Sequence, residues 1–353
     1  MIEVAREVVL GVDTHLDTHM GVVVDDLGRS QGTKAIPTTP AGSEELLTWA
    51  RSLGTLKRAG VEGTGTYGAS LARYLTGAGV QVIEVNRPDR SRRRRLGKSD
   101  PTDAENAARA VLAGDVMGAP KAQNGLVEAL RGVTVARRSA VKARTQTGNQ
   151  LRSLVVTAPD ALRNELLPLG LAACVTRCAG LRPTSEASLV QVLKRTLRIL
   201  AARWLRLSEE LAELNVMLKT LTGVVAPRLL GRHGIGPQTA ATLLLTAGDN
   251  PQRLRNEAAL AALCGVSPLE ASSGRVVRHR LNRGGDRQAN NALWTIALTR
   301  MRGEARTQAY VKKRTQEGRT TAEIRRCLKR YIVREIYPLL LADLAAAPPP
   351  GLT

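Results

Sequence analysis

Four carboxylates stand where short elements are expected to end. Asp13 closes the β-branched run that leads into Gly-Val-Asp-Thr-His at 11–15, and Glu62 closes the run 57–62, just before Gly63-Thr64-Gly65. Neighbouring strand ends can bring two such groups together. Asp100 and Asp103 lie in Lys-Ser-Asp-Pro-Thr-Asp-Ala at 98–104, where Pro101 marks a first helical turn with Asp100 at its cap and Asp103 on the same face. Singly, each acid reads as a loop-edge charge, an N-cap or compensation of the helix dipole. Together, in a chain of net charge +21, they repel one another unless cations neutralise them, and hard oxygen donors select Mg²⁺ or Mn²⁺. Two such ions about 3.5–4 Å apart would activate an oxygen nucleophile and stabilise the leaving oxygen in phosphodiester cleavage. His15, Asp17 and His19 alternate beside Asp13, a pattern that reads as a solvated strand face or loop rather than a transition-metal site.

A second group of residues surrounds Ser272-Ser273-Gly274, which by itself is a polar turn between two helices. From Arg275 to Arg287, however, Arg275, Arg278, Arg280, Arg283 and Arg287 with His279 face the single acid Asp286, a strip suited to phosphate. Two further basic runs lie at 87–98, including Arg92, Arg93, Arg94, Arg95 and Lys98, and at 312–334. Across the chain 52 Lys and Arg oppose 31 Asp and Glu, so a polyanionic partner is expected. The bases comprise 42 Arg and 10 Lys, which suits bidentate phosphate contacts and equally fits a GC-rich coding bias. With no Phe, three Trp and five Tyr, the core must rest on Leu, Val, Ala and Ile, and binding through aromatic stacking platforms is disfavoured.

The elements that must position these residues follow from the pattern. A length of 353 residues suggests two or three domains. Runs at 8–12 and 20–24 form a hairpin, followed by the turn Asp25-Asp26-Leu27-Gly28. A helix at 43–53, a strand at 57–62, a helix at 68–78 and a strand at 80–85 complete an α/β unit, which an RNase H-like domain and several other mixed folds would share. Beyond Pro101 helical periodicity dominates. Leu193, Leu197, Leu200, Trp204, Leu207, Leu211, Leu214, Leu218 and Leu221 alternate at steps of four and three, a heptad seam. A weaker partner lies at 126–155, as an antiparallel helical hairpin or a dimerising arm. Gly231 to Pro237 reads as a helix-hairpin-helix turn or a plain turn before a helix at 238–247.

In order along the chain, Gly-Val-Asp-Thr-His, Val-Glu-Gly-Thr-Gly-Thr-Tyr-Gly, Lys-Ser-Asp-Pro-Thr-Asp-Ala, Gly-Val-Ser-Pro-Leu-Glu-Ala-Ser-Ser-Gly and Asn-Arg-Gly-Gly-Asp-Arg run from Gly11 to Arg287, within the stretch 8–302. This set resembles the DEDD transposases of the insertion-sequence one-ten family, the bridge-RNA-guided recombinases related to the Piv invertase. The resemblance implies an α/β N-terminal RuvC-like (RNase H-like) domain at 1–118, long coiled-coil helices at 119–225 and a mostly α C-terminal transposase domain at 226–340, while the small-residue and proline composition of Ala345 to Gly351 assigns 341–353 to a disordered tail. It also implies that Asp13, Glu62, Asp100 and Asp103 are the four acids of a metal-bound nuclease site, holding Mg²⁺ or Mn²⁺. The serine nucleophile of the family would fall at Ser272 or Ser273, with Gly274 favouring Ser273, although Arg275-Val276-Val277-Arg278 follows where the family often has Gly-Gly-Lys.

The implied protein is a transposase that cuts and rejoins double-stranded donor and target DNA for its mobile element, guided by a structured RNA, and acts as a dimer or tetramer. A two-metal structure-specific nuclease and a non-enzymatic DNA- or RNA-binding regulator are the alternatives. Cys174, Cys178, Cys264 and Cys327 are too few and scattered for a disulfide framework or a zinc site, so reduced thiols are expected. No apolar run suits a signal peptide or a membrane span, and a cytoplasmic, nucleoid-associated protein with no membrane partner is expected.

Overall fold

The computed structural model describes residues 6–85, 99–114, 118–123, 125–248, 250 and 254–347. The chain forms two compact units, one running to Gln123 and including Ala247–Arg255, the other holding 124–246 and the residues from Asn256 on.

The first unit is built on a mixed sheet of β1 (Glu7–Thr14), β2 (Thr18–Asp25), β3 (Ser30–Pro37), β4 (Thr55–Glu62) and β5 (Gln81–Val85) in the order β3-β2-β1-β4-β5. The first three strands meander antiparallel, and β4 and β5 run parallel to β1, the RNase H-like arrangement expected from the sequence. Side chains of a strand alternate between faces, and β1 is apolar on both because both are covered. Val8, Leu10 and Val12 pack with Leu46, Leu47, Leu71 and Leu75 of α1 (Pro40–Ser52) and α2 (Ala69–Gly77). Val9 packs on the other side with Ala104, Ala107, Ala108 and Val111 of α3 (Asp100–Leu112). Gly11 and Asp13 therefore share the α3 face.

Strand β3 is absent from the sequence-based expectation, because Ser-Gln-Gly-Thr-Lys carries little apolar signal. Its entry turn is organised by the buried Asp25, which accepts from the amides of Leu27 at 3.0 Å and Arg29 at 2.8 Å and from the Arg29 guanidinium at 3.0 Å. Burial pushes the Asp25 carboxyl up, but its hydrogen bonds from Arg29 and the charges of Arg29 and Arg6 outweigh this and hold it below its usual range.

In the second unit the heptad stretch is one 37-residue helix, α7 (Leu189–Val225), packed along α4 (Leu126–Val156). Arg137 Nε donates to Asn215 Oδ1 at 2.7 Å, the guanidinium of Arg144 lies over Trp204, and Leu151 and Val155 cluster with Leu197 and Ala201. The two helices are thus antiparallel, which decides between the two arrangements left open by the pattern in favour of an intrachain hairpin. Short helices α5 (Asp160–Leu166) and α6 (Leu171–Ala179) close its end, burying Cys174 and Cys178. All four cysteines are free thiols.

The remaining elements are α8 (Pro227–Leu230), α9 (Pro237–Ala247), α10 (Glu257–Leu263), the two-residue strands β6 (Leu269–Glu270) and β7 (His279–Arg280), and helices α11 (Arg287–Gly303), α12 (Ala305–Gln316) and α13 (Thr321–Ala346). Residues 341–346, assigned to a disordered tail for their small-residue composition, are instead the last turns of α13. Leu340 and Leu344 are buried, and Asp343, 1% exposed, accepts from the first-turn amides of α8 at Arg228 (3.2 Å) and Leu229 (3.0 Å). An acid satisfying amides at a helix start is favourable on both hydrogen-bond and dipole grounds. Residues 348–353 lie outside the described residues. No helix among the described residues is long and apolar enough to cross a membrane.

Candidate active site

The strand pairing carries two of the acids to one place. Gly11 pairs with Gly60 and Val12 with Val61, so Asp13 and Glu62 follow on adjacent parallel strands, on the face covered by α3. The ends are tied by Thr14 Oγ1, which donates to the Glu62 carbonyl at 2.9 Å. Helix α3 brings the other two. A methyl group on Gly11 would lie 2.0 Å from the Ala104 carbonyl oxygen and 2.5 Å from the Ala108 nitrogen, and one on Gly60 would lie 2.7 Å from the Ala107 carbonyl. Two glycines and three alanines thus let the helix backbone rest directly on the sheet. Its first turn then reaches the strand ends.

Ser99 is the N-cap of α3 and Asp100 its first residue, one place later in the helix than the sequence suggests. Asp13 and Asp103 are 7% and 2% exposed, while Asp100 is partly open. His15 Nε2 lies 3.2 Å from Asp13 Oδ2 and 3.4 Å from Asp100 Oδ1, and one ligand atom from each of these three residues falls within 4.8 Å of the others. Burial pushes the Asp13 carboxyl above the usual carboxylate range. The His15 charge opposes this, Asp103 and Asp100 add to it, and a hydrogen bond with the Glu62 side chain lowers it.

The other three predicted acids, Glu62, Asp100 and Asp103, are therefore close enough to act on Asp13. Like charges thus crowd around the Asp13 carboxyl. A hard cation would relieve that repulsion, and the carboxylate oxygens are donors that suit Mg²⁺ or Mn²⁺, with the His15 nitrogen beside them.

His15, which the sequence pattern places on a solvated face or loop, is part of the cluster. Its signal is its position: it follows Asp13 by two residues, in the tight turn where its amide donates to the Thr18 carbonyl at 3.2 Å. His19, expected on a solvated face, is 2% exposed; burial lowers its pKa and keeps the ring neutral. Asp17 is exposed, as expected.

The close seat under α3 gives a first prediction. Gly11→Ala is expected to destabilise the first unit by about 2 kcal/mol through overpacking and to move the acid-bearing turn away from Asp13. Thermal unfolding and a DNA-nicking assay would report both. Normal nicking in a stably folded variant would show that the close approach is not needed.

Ser272 and Ser273 occupy a small hairpin rather than a turn between helices. Leu269 pairs with Arg280 and Glu270 with His279, and Ser273 and Val276 exchange two backbone hydrogen bonds of 3.1 Å. Gly274, at φ +56, takes the first central position, where a type II′ turn requires a left-handed residue. The Ser272 hydroxyl faces inward, accepting from the Arg278 amide at 3.3 Å. Ser273 is exposed at the tip.

Arg275, Arg278, Arg280, Arg283 and Arg287 are all exposed and have no ion-pair partner among the described residues. The one acid in this strip is otherwise engaged. Asp286 caps α11 by accepting from Gln288 (2.7 Å) and Ala289 (3.1 Å), and also accepts from the Thr246 hydroxyl at 3.2 Å. The strip consequently keeps its positive charge. Arg92, Arg93, Arg94, Arg95 and Lys98 lie outside the described residues.

Residues 10–158 match the DEDD_Tnp_IS110 family, described as "Transposase". Residues 226–312 match the "Transposase IS116/IS110/IS902 family". The first match contains the acid cluster and the second the serine hairpin. The chain is also 28% identical over 130 residues to the "Insertion element IS110 uncharacterized 43.6 kDa protein" of Streptomyces coelicolor, a stretch that covers 36% of this chain and 31% of that relative.

Proposed function

The chain belongs to the IS110 family of transposases, and on that premise we propose that it is a metal-dependent DNA recombinase that inserts and excises its own mobile element. The observation that carries this reading is the gathering of Asp13, Glu62, Asp100 and Asp103 at one end of an RNase H-like sheet, with His15 beside them. These side chains would hold Mg²⁺ or Mn²⁺, which supplies Lewis-acid polarisation of a phosphate and charge neutralisation at the scissile bond.

The chain's own residues have distinct roles. The acids would hold the cation through their carboxylate oxygens, and the seat of α3 on Gly11 and Gly60 holds two of them in place. Ser273 Oγ forms a bond to phosphorus, the bond from phosphorus to the departing strand oxygen breaks, and the serine proton is transferred in net to that oxygen. Energy is conserved in the phosphodiester, so the same step run in reverse rejoins a strand. The arginines from Arg275 to Arg287 bind the phosphate backbone and hold developing charge. Double-stranded donor and target DNA are the substrates, a structured RNA from the element selects them, and two or four copies of the chain assemble on them in the cytoplasm.

The test combines the full chain with DNA of the element's ends, a target duplex, RNA transcribed from the element's non-coding flank, and Mg²⁺. Joined donor–target products should form, vanish with EDTA and return with Mg²⁺, and fail without the RNA. Freely released ends, formed without RNA and never rejoined, would instead support the hydrolytic nuclease.

A further inference from the structure

Away from the serine hairpin, the second unit holds a cleft of about 540 Å³ among α11, α12 and α13, within the range of roughly 300–1,000 Å³ usual for small-ligand sites. Its floor is a fixed ion pair. Arg300, 5% exposed, donates to both oxygens of Glu335 at 2.7 and 3.0 Å and to the His233 carbonyl at 2.9 Å. The cleft's remaining acid, Glu304, is occupied by the Thr307 hydroxyl. Arg306 and Arg334 on the rim have no ion-pair partner among the described residues. With Arg300 paired to Glu335, the two rim guanidiniums oppose the single remaining carboxylate of Glu304, so the cleft carries a net positive charge.

Its wall is aromatic, in a chain with five tyrosines. Tyr310 and Tyr331 meet edge to face with ring centroids 5.6 Å apart, and Tyr331 remains 50% exposed. Burial, Cys327 and Tyr331 raise the Tyr310 phenol to about 12, so it stays a neutral donor. The surroundings favour a polymer over a free metabolite. From Arg306 to Arg334 the chain carries ten Lys and Arg against Glu317 and Glu323, and both acids are engaged by arginines, Arg314 and Arg319.

We propose that this cleft binds one unpaired nucleotide of a single strand, its base stacked on Tyr331 and its flanking phosphates on Arg306 and Arg334. Duplex DNA presents no free base face to such a wall, whereas every unpaired base does, so the site discriminates strandedness rather than sequence. Neither the serine nor the acid cluster enters this argument, and the two readings fail separately.

The experiment measures binding of the full chain to fluorescent single strands of roughly 12 nucleotides. RNA and DNA versions are used, each intact or with one central abasic site, alongside the matching duplex. Tyr331→Ala should weaken binding of the intact strand about tenfold or more while leaving the abasic strand and the duplex unchanged, and Tyr331→Phe, which keeps the ring, should retain binding. Arg334→Ala should lower the salt slope of single-strand binding by somewhat under one. Preference for the RNA or the DNA strand identifies the source of the nucleotide, and both support the site. Equal effects of Tyr331→Ala on intact, abasic and duplex ligands would overturn the proposal. Should Tyr331→Ala unfold, crosslinking of a 4-thiouridine or 4-thiothymidine strand to the native protein decides the matter: adducts on α12 or α13 support the cleft, and adducts confined elsewhere refute it.

Discussion

Asp13→Asn is expected to lower Mg²⁺-dependent strand cleavage by on the order of 10³-fold while leaving the metal-free protein at least as stable as the native chain. The two effects have one origin. The folded Asp13 carboxyl has a raised pKa, chiefly from burial and further from Asp103 and Asp100, so the folded state holds this proton more tightly than the unfolded chain does. Ionised Asp13 consequently weakens the fold as pH rises from the ordinary carboxylate range through its raised one. An amide removes that charge, keeps the shape, and still meets Glu62.

On the proposed reading, Mg²⁺ should relieve the same repulsion in the native protein. At a hundredfold excess over its dissociation constant it should stabilise the fold by about 2.7 kcal/mol, and Asp13→Asn should lose most of that response. Glu62→Gln and Asp103→Asn should behave alike, whereas His15→Ala, which spares all four acids, should cost less activity. Unfolding curves with and without Mg²⁺, beside a plasmid-cleavage assay, separate the possibilities. Equal Mg²⁺ stabilisation of native and Asp13→Asn proteins, or full cleavage by the variant, would remove the metal site.

The acid cluster is legible in the sequence because it depends on short-range rules: strand alternation puts Asp13 on one face, parallel register puts Glu62 beside it, and Pro101 fixes where α3 starts. What escapes the sequence depends on neighbours distant along the chain. His15 becomes a cluster member only once α3 presents Asp100 to it, and His19 is buried only because β3 pairs outside β2. That strand has almost no apolar signal of its own; its backbone is recruited by β2 and by the Asp25 turn. The long helices are evident as a seam, but periodicity is the same for a partner helix in the same chain or another. The contacts that choose between them exist only in the fold, where Arg137 reaches Asn215 and Val155 meets Leu197 and Ala201. The last turns of α13 carry a tail-like composition, and Asp343 acquires its role only when α8 presents its amides. The Arg strip is visible as charge, yet its lack of neutralisation follows from Asp286 serving as a cap.

Ser273→Ala is expected to abolish a covalent protein–DNA adduct that Ser272→Ala merely reduces. The hairpin distinguishes the two serines by what their hydroxyls already do. Ser272 is held by the Arg278 amide, so replacing it removes one exposed hydrogen bond, worth about 1 kcal/mol, and loosens the tip. Ser273 places its hydroxyl at the exposed turn beside Arg275 and Arg278, where phosphate charge can be met. Gly274 makes that position possible, since a left-handed residue must follow the serine for the hairpin to close at this point. An unassisted serine is a poor nucleophile at neutral pH, so the adduct should require the acids as well: Asp13→Asn with intact Ser273 should form none. A labelled strand that stays with the protein through a denaturing gel reports the bond directly. Cleavage that persists in a Ser272/Ser273 double-alanine protein, with free DNA ends and no retained label, would exclude the covalent route and leave hydrolysis at the metal site as the chemistry of this fold.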